Sequence, residues 1–416
     1  EFASMVPVAG SAYTYAYATL GELFAWIIGW DLILEYAVGS ATVANGWSGY
    51  FQSVLAKFGI HLPPALAGPP IVYDTAAGHF VRTAGLVNLP AILIVVVVTL
   101  ILVKGIQESA SFNAAMVFLK VAVVLFVILV GAFYINPENW NPFAPYGMTG
   151  LSFFGYPLMG QVNAGGQPVG MLAGAAIIFF AYIGFDSVST HAEEAKNPRR
   201  DVPIGIISSL LICTVLYIAV VAVLTGMVKY DKLSIDAGVS DAFKQAGLPW
   251  AEFIIAAAGV AGITSVLLVL MLSAPRVFLA MARDGMVPAS FFGDVHPKFR
   301  TPWKSTLLIG AFVCVMAGFL PIDALLHLTN IGTLFAFMIV CAAVLIMRRT
   351  NPDAERPFRA PLYPIVPILG MLTTLMLMFS LPAENWYRLI AWMALGFVIY
   401  FAYGYKHSEL RKRNDA

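Results

Sequence analysis

From Leu23 onward the chain repeats one pattern. A nearly uncharged apolar run is followed by a charged or Pro/Gly-rich loop. A bilayer core about 30 Å thick takes roughly 20 apolar residues per helix. Such runs read at 23–50, 87–103, 112–135, 170–192, 204–227, 253–279, 306–319, 325–346, 365–381 and 390–405. Residues 1–19, rich in Ala and Tyr, read as one further span, which brings the expected total to eleven. In hydrocarbon, helices and closed barrels are the structures that satisfy every backbone group. The runs therefore imply an all-α, polytopic membrane protein. Charge agrees: 60% of the residues are hydrophobic and 11% charged, against about 25% charged in soluble domains.

Other classes find no support. No basic stripe points to nucleic acid, and the net charge of +1 names no partner beyond the lipid bilayer. Cys213, Cys314 and Cys341 all lie inside apolar spans and read as small core residues. The six histidines are scattered, with no HExxH, CxxC or Walker A pattern. No spacing supports a nucleophile, a metal cluster or paired catalytic acids, so neither an enzyme nor a cofactor is expected. The chain opens Glu1-Phe2-Ala3-Ser4-Met5, without the charged region or cleavage site of a signal peptide. The opening reads as the inside or edge of a helix, with further sequence expected upstream.

Lys and Arg set the expected orientation. Seventeen of the 24 fall at Lys104, Lys196–Arg200, Arg276–Lys304, Arg348–Arg359 and Lys406–Arg413, which are alternate loops; six fall in the other set. The positive-inside rule puts the richer set and the C-terminus in the cytoplasm. With eleven spans, residue 1 would lie outside.

Three spans carry polar residues at depth. The span at 170–192 holds Gly184 and Asp186 beside aromatics, and ends in a charged loop reaching Pro198. Glycine costs roughly 1 kcal/mol against alanine inside a helix. A carboxylate in hydrocarbon costs several kcal/mol unless it faces protein or water. Two readings follow: a helix that unwinds midway and lines a cavity with free carbonyls, or a continuous helix with a packing glycine. Asp31 and Glu35 are four residues apart on one face of the second span, as interfacial or cavity-lining acids; a structural role is favoured. Lys120 lies about a third of the way into its span. It is either a snorkelling lysine or a bundle amine, in which case burial disfavours its charged form and suits it to proton exchange. Its depth matches that of Thr264 and Ser265, whose hydroxyls offer acceptors.

Several stretches now resemble one family. Phe180-Ala-Tyr-Ile-Gly-Phe-Asp-Ser-Val-Ser-Thr-His-Ala-Glu-Glu-Ala-Lys-Asn-Pro198 is similar to the sixth helix and following loop of the amino acid–polyamine–organocation superfamily. Gly29-Trp-Asp-Leu-Ile-Leu-Glu-Tyr-Ala-Val-Gly39 resembles its third helix as found in cationic amino acid transporters. Ala274-Pro-Arg-Val-Phe-Leu-Ala-Met-Ala-Arg-Asp-Gly285 resembles the end of the eighth helix, and Asn330-Ile-Gly-Thr-Leu334 the tenth. The resemblance covers nearly the whole chain and favours the unwound-helix reading.

It implies a fold of two inverted five-helix repeats plus two trailing helices, with the first helix absent from this chain. Residues 1–135 would hold the rest of the first repeat and 136–168 an outer connecting loop. Residues 169–350 would hold the second repeat, 360–406 the two last helices, and 407–416 a cytoplasmic tail. It implies secondary transport of amino acids across the plasma membrane, in bacterial form and coupled to protons. Carbonyls near Phe180, Ala181 and Ile183, at the break marked by Gly184, would receive the substrate's ammonium group. Asp186 would add charge in reach of the site or pair within the bundle. Val43, Leu270 and Met271 would face the substrate side chain; the subgroup implies cationic substrates, whereas these apolar residues suit small neutral ones. In proton-coupled relatives a lysine at the place of Lys120 fills the site where sodium-coupled relatives hold an ion. An amino acid exchanger on the same fold is the nearest alternative, and a non-transporting membrane sensor is one from a different class.

Overall fold

The computed structural model describes residues 1–5, 11–74, 79–105, 110–154, 156–163, 166, 168–185, 188, 195–234 and 237–415. Two short helices, α1 (Phe2–Met5) and α2 (Ser11–Thr19), precede the long α3 (Glu22–Lys57). The short α4 (Pro64–Ala67) then leads to α5 (Leu89–Lys104) and α6 (Ala110–Gly131). Next come α7 (Met171–Ile178), α8 (Pro198–Met227), α9 (Gly238–Gln245) and α10 (Pro249–Arg283). The chain continues through α11 (Ala289–Phe292), α12 (Trp303–Phe319), α13 (Ile322–Thr350) and α14 (Ile365–Phe379). It closes with α15 (Ala383–Ile399), a π-helical turn at Tyr400–Gly404, α16 (Tyr405–His407) and α17 (Glu409–Asp415). Six helices are long and apolar enough to cross a membrane, and shorter apolar helices lie at Leu89–Lys104, Met171–Tyr182, Trp303–Phe319 and Ile365–Phe379.

Among the described residues of 1–19, no helix is long enough to form the expected span. The nine residues of α2 reach only ~14 Å at 1.5 Å per residue. Both ends of this stretch are also tied to the same end of the bundle. Glu1 takes hydrogen bonds from Arg348 Nε and a terminal Arg348 nitrogen at 3.0 and 2.7 Å, just before the end of α13. Tyr13 donates to Asp284, just after α10, at 2.8 Å. Alanine and tyrosine gave the stretch an apolar reading, but its hydroxyls serve these end contacts. These contacts, with Glu22 paired to Arg411, put Glu1 and the C-terminal segment at one end, rather than at opposite ends.

That end gathers the basic loops. Glu22 pairs with Arg411 at 2.6 Å, Arg356 pairs with Glu1 at 3.2 Å, and Thr301 donates to the Val103 carbonyl at 2.8 Å. The opposite end is joined by a Lys57–Glu252 ion pair and by the Asn88 amide donating to the Gly318 carbonyl at 2.9 Å. It also carries small β-hairpins that an all-α reading omits. β1 (Ile71–Asp74) pairs with β2 (His79–Arg82), and β3 (Leu151–Phe153) with β4 (Tyr156–Met159). β5 (Gln161–Val162) pairs with β6 (Pro168–Val169). These lie in the Pro/Gly-rich loops, beyond the apolar runs, where edges can meet water.

α3 is the central pillar. Its apolar window is 89% buried, against 11% for the window in α6 and 6% for that in α8. The last two therefore have most of their surface uncovered by the described chain. Small residues let α3 be approached closely: a Cβ on Gly29 would lie 2.7 Å from the Tyr13 ring. Trp30 and Trp392 lock α15 to α3 reciprocally. The Trp30 indole donates to the Trp392 carbonyl at 2.9 Å, the Trp392 indole to the Trp30 carbonyl at 3.2 Å, and their rings stack at 4.3 Å. Trp26 adds a third bond, to the Gly396 carbonyl at 3.0 Å.

The placement of the loops at two ends of the bundle has a direct test. In a background lacking the native cysteines, single cysteines at Lys298 and Arg359 should label from one side of the membrane, and at His61 and Lys244 from the other. Labelling of Arg359→Cys and Lys244→Cys from the same side contradicts the arrangement.

Candidate substrate site

The sequence places Gly-Phe after a run of aromatics at 179–185, and the helix stops there. α7 gives way to a 3₁₀ turn at Phe179–Tyr182. Ile183 then turns to an extended ψ of 134°, and Gly184 takes φ +101°. The left-handed φ is where glycine is favoured, since a Cβ crowds the backbone there. From Met171 to Tyr182 the helical run has advanced only ~18 Å, part of the way across a bilayer.

The freed backbone groups have specific partners. Ile183 N–H donates to the Phe180 carbonyl at 3.0 Å. The Ala181 carbonyl accepts from the Tyr217 hydroxyl on α8 at 2.9 Å. Tyr182 and Thr214 join hydroxyls at 3.0 Å, and the Tyr182 and Tyr217 rings meet edge to face at 5.5 Å. Higher up, Asn330 on α13 donates its side-chain amide to the Ile177 carbonyl at 2.8 Å. Phe337, two turns further along α13, packs against both Phe179 and Phe185, at 5.9 and 5.0 Å between ring centroids. No described group donates to the Ile183 carbonyl.

Opposite the break stands an apolar wall. A Cβ on Gly39 of α3 would lie 3.8 Å from Leu270 Cδ1 of α10 and 4.0 Å from Phe180 Cε2. Three elements thus converge at Gly39. Val43 is one turn further along α3, and both Val43 and Ile183 pack partly buried against the main core. Leu270 and Met271 are 4% and 1% exposed. The structure therefore brings Phe180, Ile183, Val43 and Leu270 to one region. Ala181 instead turns its carbonyl to α8. Asp186 lies outside the described residues.

Lys120 sits apart from this region. A Cβ on Gly262 would touch the Lys120 stem at 3.4–3.9 Å, so the lysine lies across α10. Gly262 is eight residues, ~12 Å along the helix, from Leu270. The hydroxyls expected to accept from Lys120 are not bonded to it. Thr264 accepts from the Trp47 indole at 2.9 Å and donates to the Val260 carbonyl at 2.7 Å. Ser265 donates to the Gly262 carbonyl at 3.1 Å. The half-buried Lys120 has no hydrogen bond or ion pair among the described residues. Of the acids on α3, Asp31 and Glu35 are each 1% exposed, and Asp31 Oδ1 approaches the Gly332 face of α13.

Sequence reasoning missed Tyr217, Thr214 and Trp47. Thr214 and Tyr217 are three residues apart on an otherwise apolar span, which was a readable signal. The role of Asn330 required the neighbouring helix.

A multi-pass bundle with one helix broken inside it, its carbonyls held by neighbouring side chains, has the form used by secondary transporters. The chain matches the model of the amino acid permease family over residues 1–400. It is 44% identical over 412 residues to a methylthioribose transporter of Bacillus subtilis (strain 168), covering 99% of this chain and 83% of the relative. It is 45% identical over 413 residues to a branched-chain amino acid permease of the same organism, with the same coverage. A vacuolar cationic amino acid transporter 4 of Arabidopsis thaliana is 37% identical over 364 residues, covering 85% of this chain and 55% of that protein. The chain belongs to the amino acid permease family and is a membrane transporter, not an enzyme.

The left-handed turn gives a stability expectation. Gly184→Ala should destabilise the protein by about 1–3 kcal/mol, the range for a non-glycine residue held in a sparsely populated conformation. Gly174→Ala, in open space within α7, should be neutral or stabilising by up to about 1 kcal/mol. Equal melting temperatures for the two variants in detergent contradict the turn at Gly184.

Proposed function

We propose that this chain carries small α-amino acids across the plasma membrane by alternating access, in symport with protons. The observation that carries the reading is the helix break at Ile183–Gly184, with a carbonyl at Ile183 that no described group bonds and an apolar wall across from it. The end of a helical segment offers unpaired C=O groups and a partial negative charge, which suits an ammonium group. Substrate binding at Ala181 would exchange the Tyr217 hydroxyl for the ammonium. The wall at Gly39, Val43, Leu270 and Met271 favours a short or branched aliphatic side chain over a cationic one. The similarity to a branched-chain amino acid permease is in line with that choice. The helices from residue 169 to 350 form the second of two inverted repeats in this reading. The basic end of the bundle, with the C-terminal segment, faces the cytoplasm.

Lys120 is the proton site in this reading. Its stem lies on Gly262, and its ammonium is unpaired among the described residues. An amine so placed gains or loses a proton according to which side opens to water. A change of one pKa unit between two facings corresponds to about 1.4 kcal/mol, a tenfold bias in their ratio.

Two measurements in one liposome preparation test the proposal. Lys120→Ala should lose acceleration of uptake by an inward proton gradient, yet keep exchange at equal concentrations on both sides. Gradient-driven accumulation by Lys120→Ala at the wild-type level removes Lys120 as the coupling group. Gly39→Leu should weaken substrate binding at least tenfold, about 1.4 kcal/mol, whereas Gly39→Ala, whose Cβ meets only ordinary contacts, should stay within about twofold. Unlabelled leucine or valine should compete better than lysine. Preference for lysine would assign the wall to a different role.

A further inference from the structure

A second polar cavity lies away from the break, where the first turns of α13 and α15 meet the β1–β2 hairpin. Its volume is about 90 Å³, and it is lined by Phe80, Asp323, His327, Glu384, Asn385 and Arg388. Asp323 also lines the larger polar cavity of about 650 Å³ at this end of the bundle, so the two adjoin. The residues pair at helical spacing. Asp323 and His327 share one face of α13, and Glu384 and Arg388 share one face of α15.

Two polar atoms of the lining are buried without a hydrogen-bond partner among the described residues: Asn385 Nδ2 and His327 Nδ1. Asn385 itself is only 1% exposed. Buried side-chain polar atoms are normally bonded, and two exceptions on residues that line one cavity point to a group from outside the chain. The lining limits what that group is. A lone anion would face the Asp323 and Glu384 carboxylates, and a lone cation would face the Arg388 guanidinium. An apolar ligand would leave the Asn385 amide unpaired. A molecule bearing both charges meets every demand, and a cavity holding about three waters by volume limits it to the smallest of these.

We propose that this cavity is a second binding site for a small zwitterionic amino acid, of the size of glycine or alanine, distinct from the region of the helix break. Its carboxylate is received by Asn385 Nδ2 and Arg388, and its ammonium by Asp323 and Glu384, with His327 Nδ1 as a further acceptor. Phe80 of the hairpin contributes the apolar part of the lining. His327 stands one turn before Asn330, which holds the Ile177 carbonyl of α7. One helix therefore carries both the cavity wall and a grip on the broken helix.

Equilibrium binding of radiolabelled alanine to the full chain in lipid nanodiscs tests this. Gly184→Leu, which alters only the break, should still bind about one alanine per chain. Adding Asn385→Leu to that variant should weaken the remaining binding at least tenfold. Leucine has the branching and heavy-atom count of asparagine and leaves no unpaired amide, so the fold should persist. Arg388→Gln, on the more exposed side, provides a second variant with the same expected loss. Each of these two changes alone should leave uptake within about twofold of wild type. The proposal is overturned if Gly184→Leu binds no alanine, which is the result for a cavity filled by water alone. It is equally overturned if the remaining binding survives both Asn385→Leu and Arg388→Gln. A failure of the transport reading looks different: Gly184→Leu would then still transport, whatever Asn385 and Arg388 do.

Discussion

A helix interrupted within a membrane leaves backbone N–H and C=O groups that hydrocarbon cannot satisfy, at several kcal/mol each. The break after Tyr182 can persist only where protein supplies partners. Here α8 supplies Tyr217 to the Ala181 carbonyl, and α13 supplies Asn330 to the Ile177 carbonyl. The break's own turn supplies Ile183 N–H to Phe180. Removing any of these leaves a polar group facing apolar surroundings. The position of α7 among α3, α8, α10 and α13 follows from that requirement.

The same requirement explains why α3 is so thoroughly buried. A broken helix is a weak structural member, so the elements facing it must be held by other contacts. α3 is fixed on one side by the Trp30–Trp392 pair and at its ends by Glu22–Arg411 and Lys57–Glu252. It can then offer Gly39, a residue without a side chain, at the point where Phe180 and Leu270 meet. The little-covered α6 and α8 have no such obligation, and their middle stretches are mostly apolar. Among their polar residues, Lys120 and the Thr214–Tyr217 pair turn toward α10 and the break.

Much of this architecture was legible in the residues. The apolar runs located nearly every crossing, because hydrocarbon penalises charge at every position of a span. Gly184 beside aromatics marked the break, because a glycine there has a conformational use and little packing use. The reading failed at residues 1–19, where Ala and Tyr look apolar by composition. Tyr13 and Tyr17 carry hydroxyls that bond Asp284 and Ser408 at one end of the bundle, and composition does not count them. The partners of Lys120 were misjudged for a related reason. Depth along two helices matches residues in height but not in azimuth. Trp47 had already claimed Thr264, and that contact joins positions 217 residues apart in sequence. The hairpins escaped notice because their strands are only two to four residues long and pair locally.

Transport as proposed turns on the interrupted backbone at 181–184 receiving the substrate's ammonium group. An experimental density map of the full transporter with its amino acid bound addresses this most directly. The helical run should end near Tyr182, and the ammonium nitrogen should lie about 2.7–3.2 Å from the Ala181 or Ile183 carbonyl oxygen. A helix continuing unbroken through Gly184, or an ammonium group bound only by side chains elsewhere, would contradict it.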